Sequence, residues 1–296
     1  MLEPVLEWSS FQPGQTFAPV HLKLSGELID SYLQATGESH PLYAGGEGFV
    51  PLCLLTMVRY SKASIAGRWP SGTVQLEQRV RALRALRRHE SIRMECELAT
   101  KEVRNERPYF ELTTQLFDAS NVTVGDMGGR SLWGGPATER TAERATGRAA
   151  EPGPERATRL TTTVKSANAN LAAPDWHRAA AHLKDEFPMT RLMAFGDVAG
   201  ARDPIHLDPV FARSTRFGRN IAQGRLVMTL LSRLMLQLHG RAWLDSGWFQ
   251  IRFGRPVFVD DQIEAFAIPE SSRAQTYRLA CRNESGEIVI DGHGGV

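Results

Sequence analysis

Ile221-Ala-Gln-Gly-Arg-Leu-Val-Met-Thr-Leu-Leu-Ser-Arg-Leu-Met-Leu-Gln-Leu238 is the stretch from which the fold is read. Leu226, Val227, Leu230, Leu231, Leu234, Met235 and Leu238 recur at the spacing of one helix face, and Leu236 widens the stripe. A helix with so broad an apolar face must be wrapped by other elements. The wrapping follows directly in the chain. Phe249, Ile251 and Phe253 alternate, as do Val257 and Val259, and Ile263–Ile268, Thr276–Cys281 and Glu287–Asp291 read as further strands. Asn283-Glu-Ser-Gly286 marks a hairpin turn between the last two. A helix followed by an antiparallel meander implies a sheet curled round that helix, and so an α+β fold.

The chain upstream repeats the scheme. Tyr32-Leu-Gln-Ala-Thr-Gly-Glu-Ser-His-Pro-Leu-Tyr43 lies over Phe195-Gly-Asp-Val-Ala-Gly-Ala-Arg-Asp-Pro-Ile-His206, keeping an aromatic, a glycine and a closing Pro-aliphatic-ring triplet in register. Gly72–Leu76 resembles Gly247–Ile251, and Arg84–Ile92 resembles Arg255–Ile263. Val50–Ala66 is then the first central helix. Val74–Leu83, Ile92–Val103 and Tyr109–Phe117 are its strands. Between the blocks, from Ser120 to Pro174, Gly, Ala, Thr, Arg and Glu dominate and large apolar side chains are few. Such a stretch cannot bury enough surface to offset its ordering entropy. The predicted organisation is an amino-terminal unit over 1–118, a linker over 119–184 and a carboxy-terminal unit over 185–296.

Composition excludes several classes. Net charge is +2 with no basic tail, which argues against a nucleic-acid surface. The run Arg79, Arg81, Arg84, Arg87 and Arg88 reads as a solvated strand face, or as cations near a mouth admitting a phosphorylated carrier. Three scattered cysteines without C-x-x-C spacing favour neither zinc nor a disulfide framework and suit a reducing, cytoplasmic setting. No apolar run approaches the ~20 residues of a membrane span, and Met1–Pro13 does not read as a signal peptide.

The segment Phe195–Ala212 reads F-G-D-V-A-G-A-R-D-P-I-H-L-D-P-V-F-A. It resembles the hydratase motif of the MaoC-like family, approximately Y-x-x-x-S-G-D-x-N-P-[LI]-H-x-D-x-x-x-A, through Phe195, Gly200, Pro204, Ile205, His206, Asp208 and Ala212. Gln223-Gly-Arg-Leu226 resembles the family's H-G-M/L turn, and Arg255–Asp261 its P-V-x-x-G-D junction. The resemblance covers 185–296 well and 20–118 weakly. It implies a double hotdog, two curled antiparallel sheets each wrapped round a central helix. It also implies a lyase, an (R)-specific enoyl-CoA hydratase or 3-hydroxyacyl-thioester dehydratase. The partner would be an acyl-CoA or acyl-carrier-protein thioester, with no metal, redox cofactor, nucleic acid or membrane, in a monomer or homodimer.

That chemistry needs a base to deprotonate water, a proton for carbon 2 and donors for the thioester oxygen as it gains charge. His206 fits the acid–base role and the amide of Gly224 the oxyanion role, with Gln223 beside it. The family's carboxylate position is Ala201 here, and its Asn is Asp203. Two readings stay open: Asp203 takes over part of the acid–base work, or this half binds thioesters without efficient hydration. A hotdog thioesterase is a further alternative. In the first half, Glu38 and Tyr43 stand where the acid and the histidine would be. A phenol is no base at neutral pH, so that half is read as non-catalytic.

Overall fold

Among the described residues eleven strands pair in one continuous antiparallel sheet, and their order shows one arrangement used twice. In the computed structural model, residues 4–46, 48–70, 72–134, 174–270 and 274–296 are described. The first half supplies β1 (Val20–Lys23), β2 (Val74–Gln75), β3 (Glu77–Ala82), β4 (Ser91–Arg104), β5 (Arg107–Asp118) and β6 (Thr123–Leu132). The second supplies β7 (Ala181–Glu186), β8 (Trp248–Phe253), β9 (Gln262–Pro269), β10 (Thr276–Asn283) and β11 (Ile288–Gly295). The order is β1-β4-β5-β6-β3-β8-β11-β10-β9-β7, with β2 beside β6. Read outward from the centre, each half has the same sequence of strands. The halves join where β3 meets β8 antiparallel, with Arg79 opposite Gln250.

Each half also carries a helix of the same length. Gly26–Thr36 and Met189–Ala199 pack against each other, and Tyr32 and Phe195, aligned by the repeat, meet there with ring centroids 6.4 Å apart. Both helices stop at a glycine in the left-handed region, Gly37 at φ 68° and Gly200 at φ 69°, a conformation that costs a side chain free energy.

The central helix of the second half begins at Gly224. It runs through Val227, continues helically at Met228 and extends from Thr229 to His239. Leu226, Leu230, Leu231, Leu234, Met235 and Leu236 are buried, so the predicted stripe is the core face. Truncating one of these leucines to alanine costs about 2–5 kcal/mol.

Three expectations are corrected. The predicted linker over 119–184 contains two strands of the sheet, β6 and β7, so the first unit extends past 118; 135–173 lies outside the described residues. The composition of β6 misleads because its glycines are there for close packing. A Cβ on Gly125 would sit 2.7 Å from the Arg81 carbonyl oxygen, and one on Gly129 2.7 Å from that of Glu77. The first central helix, expected over Val50–Ala66, is broken into a 3-10 turn, Leu52–Thr56, and a helix, Val58–Ile65; Met57 between them is extended at ψ 140°. Val257–Val259 forms no strand and instead clamps the segment leading into the second helix, as Ile221 bridges to Phe258.

Candidate active site

The loop after the Met189–Ala199 helix is shaped by backbone chemistry before any side chain acts. Gly200 ends the helix, and Pro204 opens a one-turn helix, Pro204–Leu207, at the position where a missing N–H costs nothing. Ile205 is then tied to the neighbouring segment. Its carbonyl accepts from Ile221 N at 3.3 Å and from Asn220 Nδ2 at 3.2 Å. That segment is held from the other side, with Ala222 N to Val257 O at 2.7 Å and Val259 N to Asn220 O at 3.1 Å. Asp208 caps the next helix, its Oδ1 accepting from Val210 N and Phe211 N at 2.8 and 3.1 Å.

The clamp delivers one half-buried imidazole to the mouth of the central helix. His206 Nδ1 lies 2.8 Å from the carbonyl oxygen of Ile221, three residues before Gly224. A carbonyl can only accept, so Nδ1 carries the proton, and Nε2 of the neutral ring keeps its lone pair. Burial holds His206 below the usual histidine range, opposed by the Ile221 carbonyl and by the charge of Asp203. Asp203 is exposed, makes no capping hydrogen bond with its side chain, and gives its carbonyl to His206 N at 2.9 Å.

Gly224 is the first residue of the helix, so its N–H has no intrahelical acceptor. It makes no hydrogen bond among the described residues, and the residue is exposed. A Cβ there would meet the Phe253 ring at 3.1 Å, so glycine keeps this mouth open.

The other two predicted site residues turn inward. Gln223 is 3% exposed; its Nε2 donates to Leu192 O at 3.0 Å and to Ala201 O at 3.3 Å, while its Oε1 is buried without a donor among the described residues. Ala201 is 4% exposed. Both sit beneath the mouth, tying loop to helix. His206 and Asp203 share one loop, and the Ile221 carbonyl joins that loop to the segment three residues before Gly224.

Arg225 is the residue that sequence reasoning passed over. Its Nε donates to Gln75 Oε1 at 2.8 Å, and an Nη donates to the Thr56 carbonyl, both in the other half. Burial lowers its guanidinium to about 10. The signal was visible: a cation next to the motif glycine, in a helix otherwise apolar on this side.

The first half repeats the clamp bond for bond. Phe49 N donates to Leu42 O, Val50 N to Leu86 O and Arg88 N to Gly48 O, and Phe49 bridges to Arg87. Tyr43 thereby takes the place of His206, Glu38 that of Ala201, Pro51 that of Gln223, Leu52 that of Gly224 and Cys53 that of Arg225. A cavity of about 390 Å³ lies outside the Tyr43 loop, against His40, Tyr43, Gly45 and Arg88. Volume points there, but the chemistry does not. Tyr43 is buried, and Arg88 is engaged by Asp30 and the Tyr43 carbonyl.

Comparison with known proteins agrees with this architecture. Over 98% of this chain and 97% of its own, a Mycobacterium tuberculosis protein described as having a double hotdog fold superposes with a TM-score of 0.62 at 14% identity. The fold is a double hotdog. Residues 151–279 match the MaoC like domain. The chain is 35% identical over 119 residues to 3-hydroxybutyryl-CoA dehydratase of Methylorubrum extorquens, covering 37% of this chain and 72% of the relative. It is 32% identical over 117 residues to (R)-specific enoyl-CoA hydratase of Aeromonas caviae, covering 38% and 87%. The chain belongs to the MaoC-like family.

Proposed function

We propose that this protein is a lyase that adds water to trans-2-enoyl thioesters to give (R)-3-hydroxyacyl thioesters, or runs the reverse dehydration. The observation that carries this reading is the His206–Ile221 hydrogen bond. It fixes the tautomer, frees Nε2 and sets the ring beside the helix whose first amide is unsatisfied. The names of the two relatives support it.

In the hydration direction, His206 Nε2 takes a proton from water as its oxygen bonds to carbon 3. The electron pair of the double bond moves toward the thioester carbonyl, and the oxygen gaining charge accepts from Gly224 N–H, a donor aimed before the reaction begins. The imidazolium then returns its proton to carbon 2 on the same face, and the carbonyl re-forms. Asp203 stabilises that imidazolium and orients the water from the exposed side. Gln223 and Ala201 hold the loop against the helix. An acyl-CoA or acyl-carrier-protein thioester in the cytoplasm fits this site, and a homodimer or a lone double hotdog would house it equally.

Hydration of crotonyl-CoA, followed as loss of enoyl absorbance, tests the reading. The wild-type chain turns over and His206→Ala loses about 10²–10⁴-fold. Equal rates in the two proteins would remove His206 from the mechanism. Binding of acyl-CoA with no turnover at all would leave a carrier of thioesters, and release of free thiol would make it a thioesterase.

A further inference from the structure

Arg225 is a cation left without an anion. Both of its hydrogen-bond acceptors, Gln75 Oε1 and the Thr56 carbonyl, are neutral, and no carboxylate pairs with it among the described residues. A guanidinium has five N–H donors and does not shed its proton in a protein, so three donors here are uncommitted. Burying an unpaired charge is expensive, and folded proteins supply a partner. Arg233, two turns on in the same helix, has one and is held by Asp185. Burial pushes the Arg225 guanidinium down.

The repeat shows what the second half lacks. The counterpart of Glu38 there is Ala201, so that half has no carboxylate at this place, and the counterpart of Cys53 is Arg225, whose guanidinium reaches across to Gln75 and Thr56. Arg225 is only partly buried, and it follows directly on Gly224, whose amide faces the thioester oxygen in the reaction proposed above.

We infer that the substrate brings the anion: Arg225 selects enoyl thioesters whose acyl group carries a carboxylate a few carbons from the thioester. The planar fork of the guanidinium suits a carboxylate better than an ammonium would. The inference rests on the thioester reading of the site, and binding can be measured apart from turnover.

Calorimetric titration of the full chain with glutaryl-CoA and valeryl-CoA makes the test. The two saturated ligands share the coenzyme and differ chiefly by a terminal carboxylate against a methyl. The wild type binds glutaryl-CoA about tenfold or more tightly, the value of one charge-assisted pair. Arg225→Gln brings the two affinities within about twofold, and Arg225→Lys keeps part of the preference. Thermal unfolding of each variant checks that it folds. If the wild type binds valeryl-CoA as tightly as glutaryl-CoA, the inference is overturned whatever the variants do. If crotonyl-CoA is hydrated in that case, only the selectivity fails. If neither thioester binds, the reading of the site fails with it.

Discussion

Tyr43 and His206 stand at one place in two copies of one scaffold, and comparing them separates what the fold requires from what the chemistry requires. Both loops have a left-handed glycine, a proline at the start of a short turn and the same three backbone bonds to a clamping segment. None of those features depends on the ring that follows. The side chains then diverge. The phenol of Tyr43 is buried beside the Glu38 carboxyl, where the imidazole of His206 reaches a carbonyl at the surface edge. Leu52 is 6% exposed where Gly224 lies open, so the first mouth is stoppered by a side chain and the second is not. The backbone pattern is common to both halves while the side chains at the site differ, and the first half's sheet joins the second along β3–β8.

Making the second half like the first should abolish activity. His206→Tyr removes the base while keeping a ring in place, and a loss of about 10²–10⁴-fold in kcat/KM for crotonyl-CoA is expected. The reciprocal Tyr43→His should create no activity, because Leu52 still fills that mouth; stopped assays on the double variant Tyr43→His/His206→Tyr check this. Any turnover by the double variant above that of His206→Tyr alone would show that the stoppered half retains a working pocket.

The second contrast, Gly224 against Leu52, can be split into amide and volume. Proline is well suited to the first position of a helix, and Gln223 already has the extended backbone a following proline demands, at φ −63° and ψ 124°. Gly224→Pro therefore removes the N–H with the helix start preserved, and kcat should fall about 10²–10³-fold. Gly224→Ala keeps the N–H and only crowds the Phe253 ring, so its loss should stay within about tenfold. Equal losses in the two would assign the effect to crowding.

The third contrast, Glu38 against Ala201, is one of stability. Burial raises the Glu38 carboxyl from 4.5 to about 7. The folded state then holds its proton more tightly than the unfolded state between those values. Stability accordingly falls as pH rises through that window, and the loss is complete above it. The shift corresponds to something on the order of 3 kcal/mol. Glu38→Gln should raise Tm at pH 8 and change it little near pH 4.5, as calorimetry at the two pH values would show.

The fold was legible where one periodicity dominates and dark where packing overrides it. The stripe from Leu226 to Leu238 could serve only as a core helix, and the Tyr32 and Phe195 registers matched because both rings meet at the same helix pair. The strand at Thr123–Leu132 was hidden because Gly125 and Gly129 give up side chains to let β3 close in, which composition reports as a linker. His206 was legible from the Pro-Ile-His turn. The inward turn of Gln223 was not, since its acceptors are carbonyls of Leu192 and Ala201 brought near only by folding. Arg225 was darker still, because both its partners lie at least 150 residues away.

The smallest effect concerns the protonation of His206 itself, for which the first half has no equivalent. Burial lowers its pKa, with the Ile221 carbonyl and Asp203 pulling the other way. In the proposed mechanism the neutral ring is the base, so kcat/KM for hydration should hold on acidification past the ordinary histidine value of about 6.5 and decline only below it. Asp203→Asn removes a charge that favours the imidazolium and should carry that limb further to the acid side. Stability has the same sign: the unfolded state takes up the proton first, so acidification between the ordinary and the lowered pKa destabilises the fold. A pH–rate profile for wild type and Asp203→Asn decides the point. A limb above pH 6.5 would mean that burial does not lower the ring, and one that does not move in the variant would mean that Asp203 has no electrostatic hold on His206 and that its place beside the ring is only a turn of the chain.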